Sequence, residues 1–107
     1  MARVLAVADL MLGSKVQATL VAAGHEVTLA PSLQEADLEE VELLVADLDV
    51  ENPEALVGLG VPVLGFYSHV NAETRSAAEA AGVDLAVPRS RLAREMPQLA
   101  ERLLNPA

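Results

Sequence analysis

Three aspartates follow apolar runs of the kind that form buried strands. Asp9 ends the run 4–8, and Asp47 ends the run 43–46, with Asp49 two residues later. Carboxylate oxygens are ligands that Mg²⁺ prefers, so a cluster of these side chains would have the chemistry of a divalent-cation site. Each acid also has a structural alternative. Asp9 is equally suited to cap a first helix, and Asp47 to accept hydrogen bonds from nearby backbone N–H groups. Asp49 would face the same side as Asp47 if the strand continued that far.

The strand-like segments that would position these acids alternate with helix-like segments. They are short, rich in Val and Leu and bounded by turn signals, and they cover residues 3–8, 26–30, 41–47, 61–66 and 83–87. Near-continuous apolar runs indicate strands buried on both faces, which is typical of a parallel sheet covered by helices. Right-handed β-α units then predict one α/β domain over residues 1–107. Its form is a three-layer, five-stranded parallel sheet in the flavodoxin-like order 2-1-3-4-5.

Helix start and stop signals support this alternation. Gly24 follows apolar residues at helical spacing and is predicted to end the first helix. The segment 32–35 (SLQE) has the form of a capping box that opens a second helix. Pro97 would interrupt or kink the last helix if that helix began early. The residues predicted to cap the four later helices are Ser32, Asn52, Asn71 and Ser90.

In proteins with this topology, ligands bind beyond the carboxyl ends of strands one and three. Besides the acids, the strand ends deliver Tyr67, Ser68 and His69 after strand four and Arg89 after strand five. A histidine in a loop is usually exposed and inert, so His69 is left out of the site. We predict a pocket around Asp47 that is formed by Asp9, Asp49, Tyr67, Ser68 and Arg89.

The charge distribution argues against a nucleic-acid partner. The formal net charge is −9, and no Lys or Arg occurs between Lys15 and Arg75, where the acids are concentrated. Such an acidic flank repels phosphate backbones. One Tyr and one Phe also give too few aromatic rings for a base-stacking platform.

Composition excludes further classes of function. Without cysteine there is no disulfide, thiolate metal site or cysteine nucleophile. The run 4–8 is too short for a signal-peptide core, and no apolar stretch approaches the ~20 residues of a membrane-spanning helix. We therefore expect a cytoplasmic protein that does not bind membranes. No nucleophile, base and orienting group can be assembled from His25, His69 and the serines, so an enzyme is not predicted.

Four segments of the chain resemble those of CheY-like response-regulator receiver domains, over nearly its full length. The resemblance implies a signalling protein in which Asp47 is the equivalent of the phosphoacceptor. It rests on 4–9 (VLAVAD) for the first strand, 43–47 (LLVAD) for the phosphoacceptor strand, 62–68 (PVLGFYS) for the strand with the switch hydroxyl, and 80–84 (AAGVD) with Pro88 for the last strand.

The chain departs from the family at the residues that handle phosphate. Receivers hold Mg²⁺ with two acids after strand one and the phosphoacceptor, and Ala8 stands at the first of these acid positions. Receivers also place a lysine before the proline of strand five. Val87 fills that place when the prolines are matched, whereas counting from Gly82 puts Arg89 near it. A guanidinium is not equivalent to an ammonium in such a role.

Two further departures concern the switch and the third loop. The switch hydroxyl aligns with Tyr67 by spacing, and Ser68 follows on the opposite side of an extended chain. The segment 48–61 is shorter than its counterpart in receivers, so we expect a short helix that ends at Gly58 or Gly60 beside a more open pocket.

These departures predict a degenerate receiver, or pseudo-receiver. Phosphorylation of Asp47 is in doubt, and no cofactor is expected, with weak Mg²⁺ binding through Asp9 and Asp47 as the open alternative.

The predicted function is that of a stand-alone signalling module that acts by contact with a partner protein or a second copy of the chain, as in a homodimer. The resemblance places the partner surface on helix four, strand five and helix five. The alternative is a Rossmann-like or flavodoxin-like nucleotide- or cofactor-binding domain, which would need a glycine-rich turn where residues 9–13 supply one glycine. The arginines of the predicted partner surface are Arg75, Arg89, Arg91 and Arg94.

Overall fold

A computed structural model describes residues 2–68 and 72–105, which contain five strands and four α-helices. The predicted alternation of strands and helices is confirmed, and each strand overlaps its predicted segment. The strands are β1 (Arg3–Val7), β2 (Glu26–Ala30), β3 (Leu43–Asp47), β4 (Val63–Tyr67) and β5 (Leu85–Pro88). The helices are α1 (Leu10–Ala22), α2 (Pro53–Val57), α3 (Ala72–Ala81) and α4 (Arg89–Leu104), with one 3₁₀ turn at Leu33–Glu35.

The strands form one parallel sheet in the order β2-β1-β3-β4-β5, which confirms the predicted fold class. β1 lies between β2 and β3, so the strand order reverses at β1: β2 is added on one side of it, and β3, β4 and β5 are added on the other. Val7 is in register with Ala46, so the residues after β1 come beside Asp47. This is the crevice at which doubly wound sheets bind ligands.

Alternating side chains of the strands fill two apolar cores, one on each face of the sheet. Val45 and Phe66 face α1 and α4, whereas Leu44 and Tyr67 face α2 and α3. Because both faces are covered, the central strands β3 and β4 are buried along their whole length. None of the described helices is long and apolar enough to cross a membrane.

Several of the predicted helix ends are confirmed. The side chain of Asn52 accepts a hydrogen bond from Glu54 N–H at 2.9 Å, and Pro53 is the first residue of α2. Gly24 follows α1 with φ +96°, in the left-handed region that glycine adopts at low cost. The abbreviated α2 ends at Val57 and is followed by Gly58 and Gly60, as expected from the short segment 48–61.

The predicted second helix is wrong. The segment 32–35 forms one 3₁₀ turn, in which Ser32 makes no capping bond to the backbone and its hydroxyl contacts the Glu35 carboxylate at 3.3 Å. Ala36 then returns to an extended conformation. A capping box alone does not sustain a helix, because an α-helix also needs an apolar face to pack. The acids that follow cannot supply one, and among them Glu40 has a positive φ of 60°.

The start of α4 also differs from the prediction. The helix begins at Arg89, directly after β5, with Pro88 at the N-cap position and no side-chain cap, so Ser90 lies inside the helix. Pro97 lies inside the helix as well and does not end it. The buried stripe of Leu92, Met96 and Leu99 on α4 holds the helix against the sheet despite the hydrogen bond that proline cannot donate. The predicted cap Asn71 falls outside the described residues.

Candidate functional site

Asp47 ends β3 at the carboxyl edge of the sheet and is 3% exposed. Both of its carboxylate oxygens have partners within the chain. Oδ1 accepts a hydrogen bond from the backbone N–H of Asp49 at 2.9 Å, and Oδ2 lies 3.4 Å from Nη2 of Arg89. A buried carboxylate needs such partners because it has lost its hydration. Asp47 is therefore held in place by a turn and by a countercharge.

Arg89 supplies that countercharge from the first residue of α4. Its guanidinium carbon lies 6.0 Å from the centroid of the Phe66 ring, and its side chain is 41% exposed. Its Nε is buried and has no hydrogen-bond partner among the described residues. Val87, the other residue that could occupy the position of the receiver lysine, is fully buried in the apolar core. The alignment counted from Gly82 is thus the one with a cation beside Asp47.

Asp9 is the N-cap of α1. Its Oδ1 accepts a hydrogen bond from Leu12 N–H at 2.9 Å, and the residue is exposed. Ala8, which stands where receivers have an acid, is buried. A cleft of about 200 Å³ lies between Asp9 and Asp47, and its other lining residues are Val7, Ala8, Pro31, Val50 and Glu51.

Asp49 is not among the described residues that line this cleft. The strand ends at Asp47, and residues 48–50 form a turn. The turn carries Asp49 toward β4, where its Oδ2 accepts a hydrogen bond from Ser68 N–H at 2.8 Å. The side chain therefore ties the ends of β3 and β4 together. Because β3 ends at Asp47, the condition under which Asp49 would face the same side as Asp47 is not met.

Tyr67 and Ser68 are not among the described residues that line the cleft. Tyr67 is 4% exposed and packs in the core beneath α2 and α3. Ser68 is exposed, and its backbone N–H, not its hydroxyl, makes the contact with Asp49. Of the residues predicted for the pocket, Asp9 and Asp47 line the cleft. Arg89 does not line it but contacts Asp47.

These residues do not fit a well-formed magnesium site. No group of three Asp, Glu or His side chains placed to hold a metal ion occurs within residues 2–68 and 72–105. Of the three acids that line the cleft, Asp47 has both oxygens engaged and Asp9 has one oxygen engaged as a cap, which leaves Glu51 as the third. Mg²⁺ requires near-octahedral oxygen ligation, and a neighbouring guanidinium opposes a second positive charge.

The other arginines of the predicted partner surface form short-range ion pairs. Arg75 pairs with Glu79 on α3 at 3.5 Å. On α4, Arg91 and Arg94 both approach Glu95, at 3.4 and 3.8 Å. The two helices pack on opposite faces of the sheet beside the edge strand β5. Arg89, in contrast, is directed to Asp47.

Of the two histidines, His25 is the one within the described residues, and it lies away from the site. His25 is buried at the opposite end of the sheet, where its Nδ1 accepts a hydrogen bond from Ala2 N–H at 3.2 Å. His69 falls outside the described residues.

Sequence reasoning missed three exposed apolar side chains in the segments that follow Asp9 and Asp47, which we call the apolar rim. Leu10 and Met11 open α1 directly after Asp9 and are 78% and 73% exposed. Val50, in the turn after β3, is 73% exposed and lines the cleft. The sequence contained a signal for the exposure of Leu10, because this residue lies outside the buried stripe of α1. Large apolar side chains grouped at a surface commonly mark a contact site.

Comparison with solved structures identifies the architecture. The chemotaxis protein CheY4 from Vibrio cholerae superimposes with a TM-score of 0.83 and 22% sequence identity, over 97% of this chain and 99% of that chain. The chain has the fold of a CheY-like receiver domain. A response regulator receiver domain protein from Clostridium thermocellum gives a TM-score of 0.84 at 15% identity, over 99% and 96% of the two chains.

The same fold occurs as one part of larger proteins. NtrX from Brucella abortus, solved with ADP, gives a TM-score of 0.87 at 23% identity, and the match covers 98% of this chain but 26% of that chain. No protein-family model and no curated protein sequence matches the chain. The solved structures support a receiver-like fold.

Proposed function

We propose that the chain is a cytoplasmic, receiver-like signalling module that acts through protein–protein contact, is not an enzyme, and does not depend on phosphorylation of Asp47. The observation that carries this proposal is the state of the Asp47 carboxylate. It is almost completely buried, and both of its oxygens are already bound by Asp49 N–H and Arg89.

A phosphoacceptor must present a free carboxylate oxygen to the phosphorus atom, and the charge that develops on the transferring group must be neutralised. Asp47 would have to leave Arg89 or its turn before it could attack. Arg89 is a countercharge, but it already neutralises Asp47 and is therefore not free to neutralise the transferring group. Ala8 supplies no carboxylate for a bridging cation, so Mg²⁺ is expected to bind weakly.

The apolar rim is the contact surface that we propose. Full burial of a Leu, Met or Val side chain is favourable by roughly 1.5–3 kcal/mol, and Leu10, Met11 and Val50 remain mostly exposed. The acids Asp9 and Glu51 lie beside them at the cleft. A partner or second copy with apolar residues flanked by Lys or Arg would complement both features. A nucleic acid would not, because the chain carries a net charge of −9.

The phosphorylation part of the proposal can be tested by NMR. ¹⁵N-labelled protein is titrated with Mg²⁺ and then with beryllofluoride or acetyl phosphate, with Asp47→Asn as the control. We expect no saturable shift changes that depend on Asp47. Ala8→Asp restores the missing acid, and in that variant a response should be gained or strengthened. Saturable shifts around Asp47 in the native chain that Asp47→Asn abolishes would overturn the proposal.

The contact part needs a separate experiment. A photo-crosslinking amino acid is placed at Val50 in the rim and, as a matched control, at Val21, which is 51% exposed near the carboxyl end of α1. Irradiation in the native host should give a discrete crosslinked species from position 50 that Leu10→Glu reduces. Equal crosslinking from positions 50 and 21 would show that the apolar rim is not the contact surface.

A further inference from the structure

A groove of about 310 Å³ separates α1 from α4 on one face of the sheet. Ala18 of α1 and Ala93 of α4 are exposed and line its two sides. Their short side chains leave the space that larger residues would fill. The floor is apolar and includes Phe66, Val16 and Met96. Sites for small molecules typically enclose roughly 300–1,000 Å³ with mainly apolar walls, so the groove has the size and lining of a small binding site.

The charged residues of the groove are both cationic, although the chain as a whole has a net charge of −9. They are Lys15 and Arg89. No ion pair found among the described residues includes Lys15. Arg89 contacts Asp47 through Nη2, which leaves its buried Nε without a hydrogen-bond partner among those residues. A buried donor without an acceptor is unfavourable.

We propose that this groove binds a small amphipathic carboxylate, with its apolar body over Phe66 and its carboxylate between Lys15 and Arg89. A neutral ligand of the same shape would leave Lys15 without an anion. A carboxylate forms charge-assisted hydrogen bonds with Lys15 and Arg89, which are the stronger kind. A polyanion such as a nucleotide fits less well, since the floor is apolar and Asp47 lies on the far side of Arg89.

The inference does not rest on the proposed function. The groove lies between α1 and α4, whereas the proposed contact surface is the apolar rim, and the state of Asp47 involves Nη2 of Arg89. A module that is phosphorylated and one that is not would both retain the groove.

The test compares octanoate with 1-octanol, which has a similar apolar chain and no charge. Each is titrated into ¹⁵N-labelled full chain, and amide shifts are followed by NMR. Octanoate should give saturable shifts in residues 12–19 and 89–96 and bind about tenfold more tightly than octanol, corresponding to ~1.4 kcal/mol. Lys15→Gln should remove most of that difference without changing the affinity for octanol.

Two further variants make the test specific. Ala93→Leu fills the groove and should weaken both ligands, and Ala18→Leu on the opposite side gives the same readout should Ala93→Leu fail to fold. Arg94→Gln is the matched control, because Arg94 lies on α4 but does not line the groove, and it should change neither affinity. Equal affinities for octanoate and octanol, shifts outside the two helices, or equal effects of Lys15→Gln and Arg94→Gln would each overturn the proposal.

Discussion

Asp47 and Arg89 show how a buried acid is stabilised by a neighbouring guanidinium. The carboxylate is 3% exposed and lies at the edge of a sheet close to other acids. Arg89 enters from the neighbouring α4 and places a guanidinium 3.4 Å from Oδ2. Breaking such a pair by removing one partner leaves an uncompensated charge, whereas removing both partners is less costly. The two residues should therefore be energetically coupled.

A double-mutant cycle of Asp47→Asn and Arg89→Gln measures that coupling. We expect a favourable interaction of about 0.5–1.5 kcal/mol from urea unfolding, reduced from that of a fully buried pair because the Arg89 side chain is 41% exposed. A parallel cycle of Asp47→Asn with Arg94→Gln serves as the control and should give a value near zero. Coupling energies that are equal in the two cycles would contradict a specific pair.

At the scale of secondary structure elements, the packing of the turn after β3 depends on a glycine in β4. Leu48 is 8% exposed and lies against Gly65, and a Cβ at position 65 would come within 2.6 Å of the Leu48 side chain. The turn that follows Leu48 carries Asp49 to the end of β4 and Val50 to the cleft. Because Gly65 has no side chain, Leu48 can pack against β4, and this contact positions the turn that carries Asp49 and Val50.

Gly65→Ala should therefore destabilise the protein by overpacking, by about 1–3 kcal/mol in the free energy of unfolding. Thermal or urea unfolding measures the loss. The double variant Gly65→Ala with Leu48→Ala removes the clash, and it should be destabilised by less than the sum of the two single variants. Strict additivity, or a neutral Gly65→Ala, would show that Leu48 is not held against β4.

At the scale of the whole molecule, acids outnumber Lys and Arg by 16 to 7. Ten of the acids lie between Glu26 and Glu54, a segment without Lys or Arg. Arg3, in β1, pairs with Glu26 and Glu40. Self-repulsion of a net charge this large destabilises the compact state, while exposed ion pairs add little stability.

Salt should accordingly stabilise the protein. Raising NaCl from about 20 mM to about 0.5 M screens repulsion between exposed acids, and the free energy of unfolding should rise by roughly 0.5–2 kcal/mol. Urea unfolding at each salt concentration provides the measurement. The variant Glu39→Gln removes one of the crowded acids and should show a smaller rise. A decrease in stability with salt would mean that ion pairs outweigh the repulsion.

The sheet order, the parallel direction of the strands and the three layers were accessible from the sequence. Apolar runs such as 43–46 report burial on both faces, and right-handed crossovers leave few topologies. The helix at Asn52 and Pro53 was equally readable, because its start depends on local bonds. The segment 32–35 shows the limit of local signals, since a helix also requires an apolar face that this acidic region lacks.

The sequence by itself determined that Asp47 ends a buried central strand and that Ala8 removes an acid from its surroundings. Only the tertiary structure decided that Arg89, and not Val87, stands beside Asp47, that Asp49 turns toward β4, and that Tyr67 packs in the core. The physical reason is that side chains alternate between the two faces of a strand, so the sequence predicts which face each one occupies. Contacts beyond the end of a strand depend instead on the path of the turn that follows. Those turns are set by long-range packing, such as that of Leu48 against Gly65.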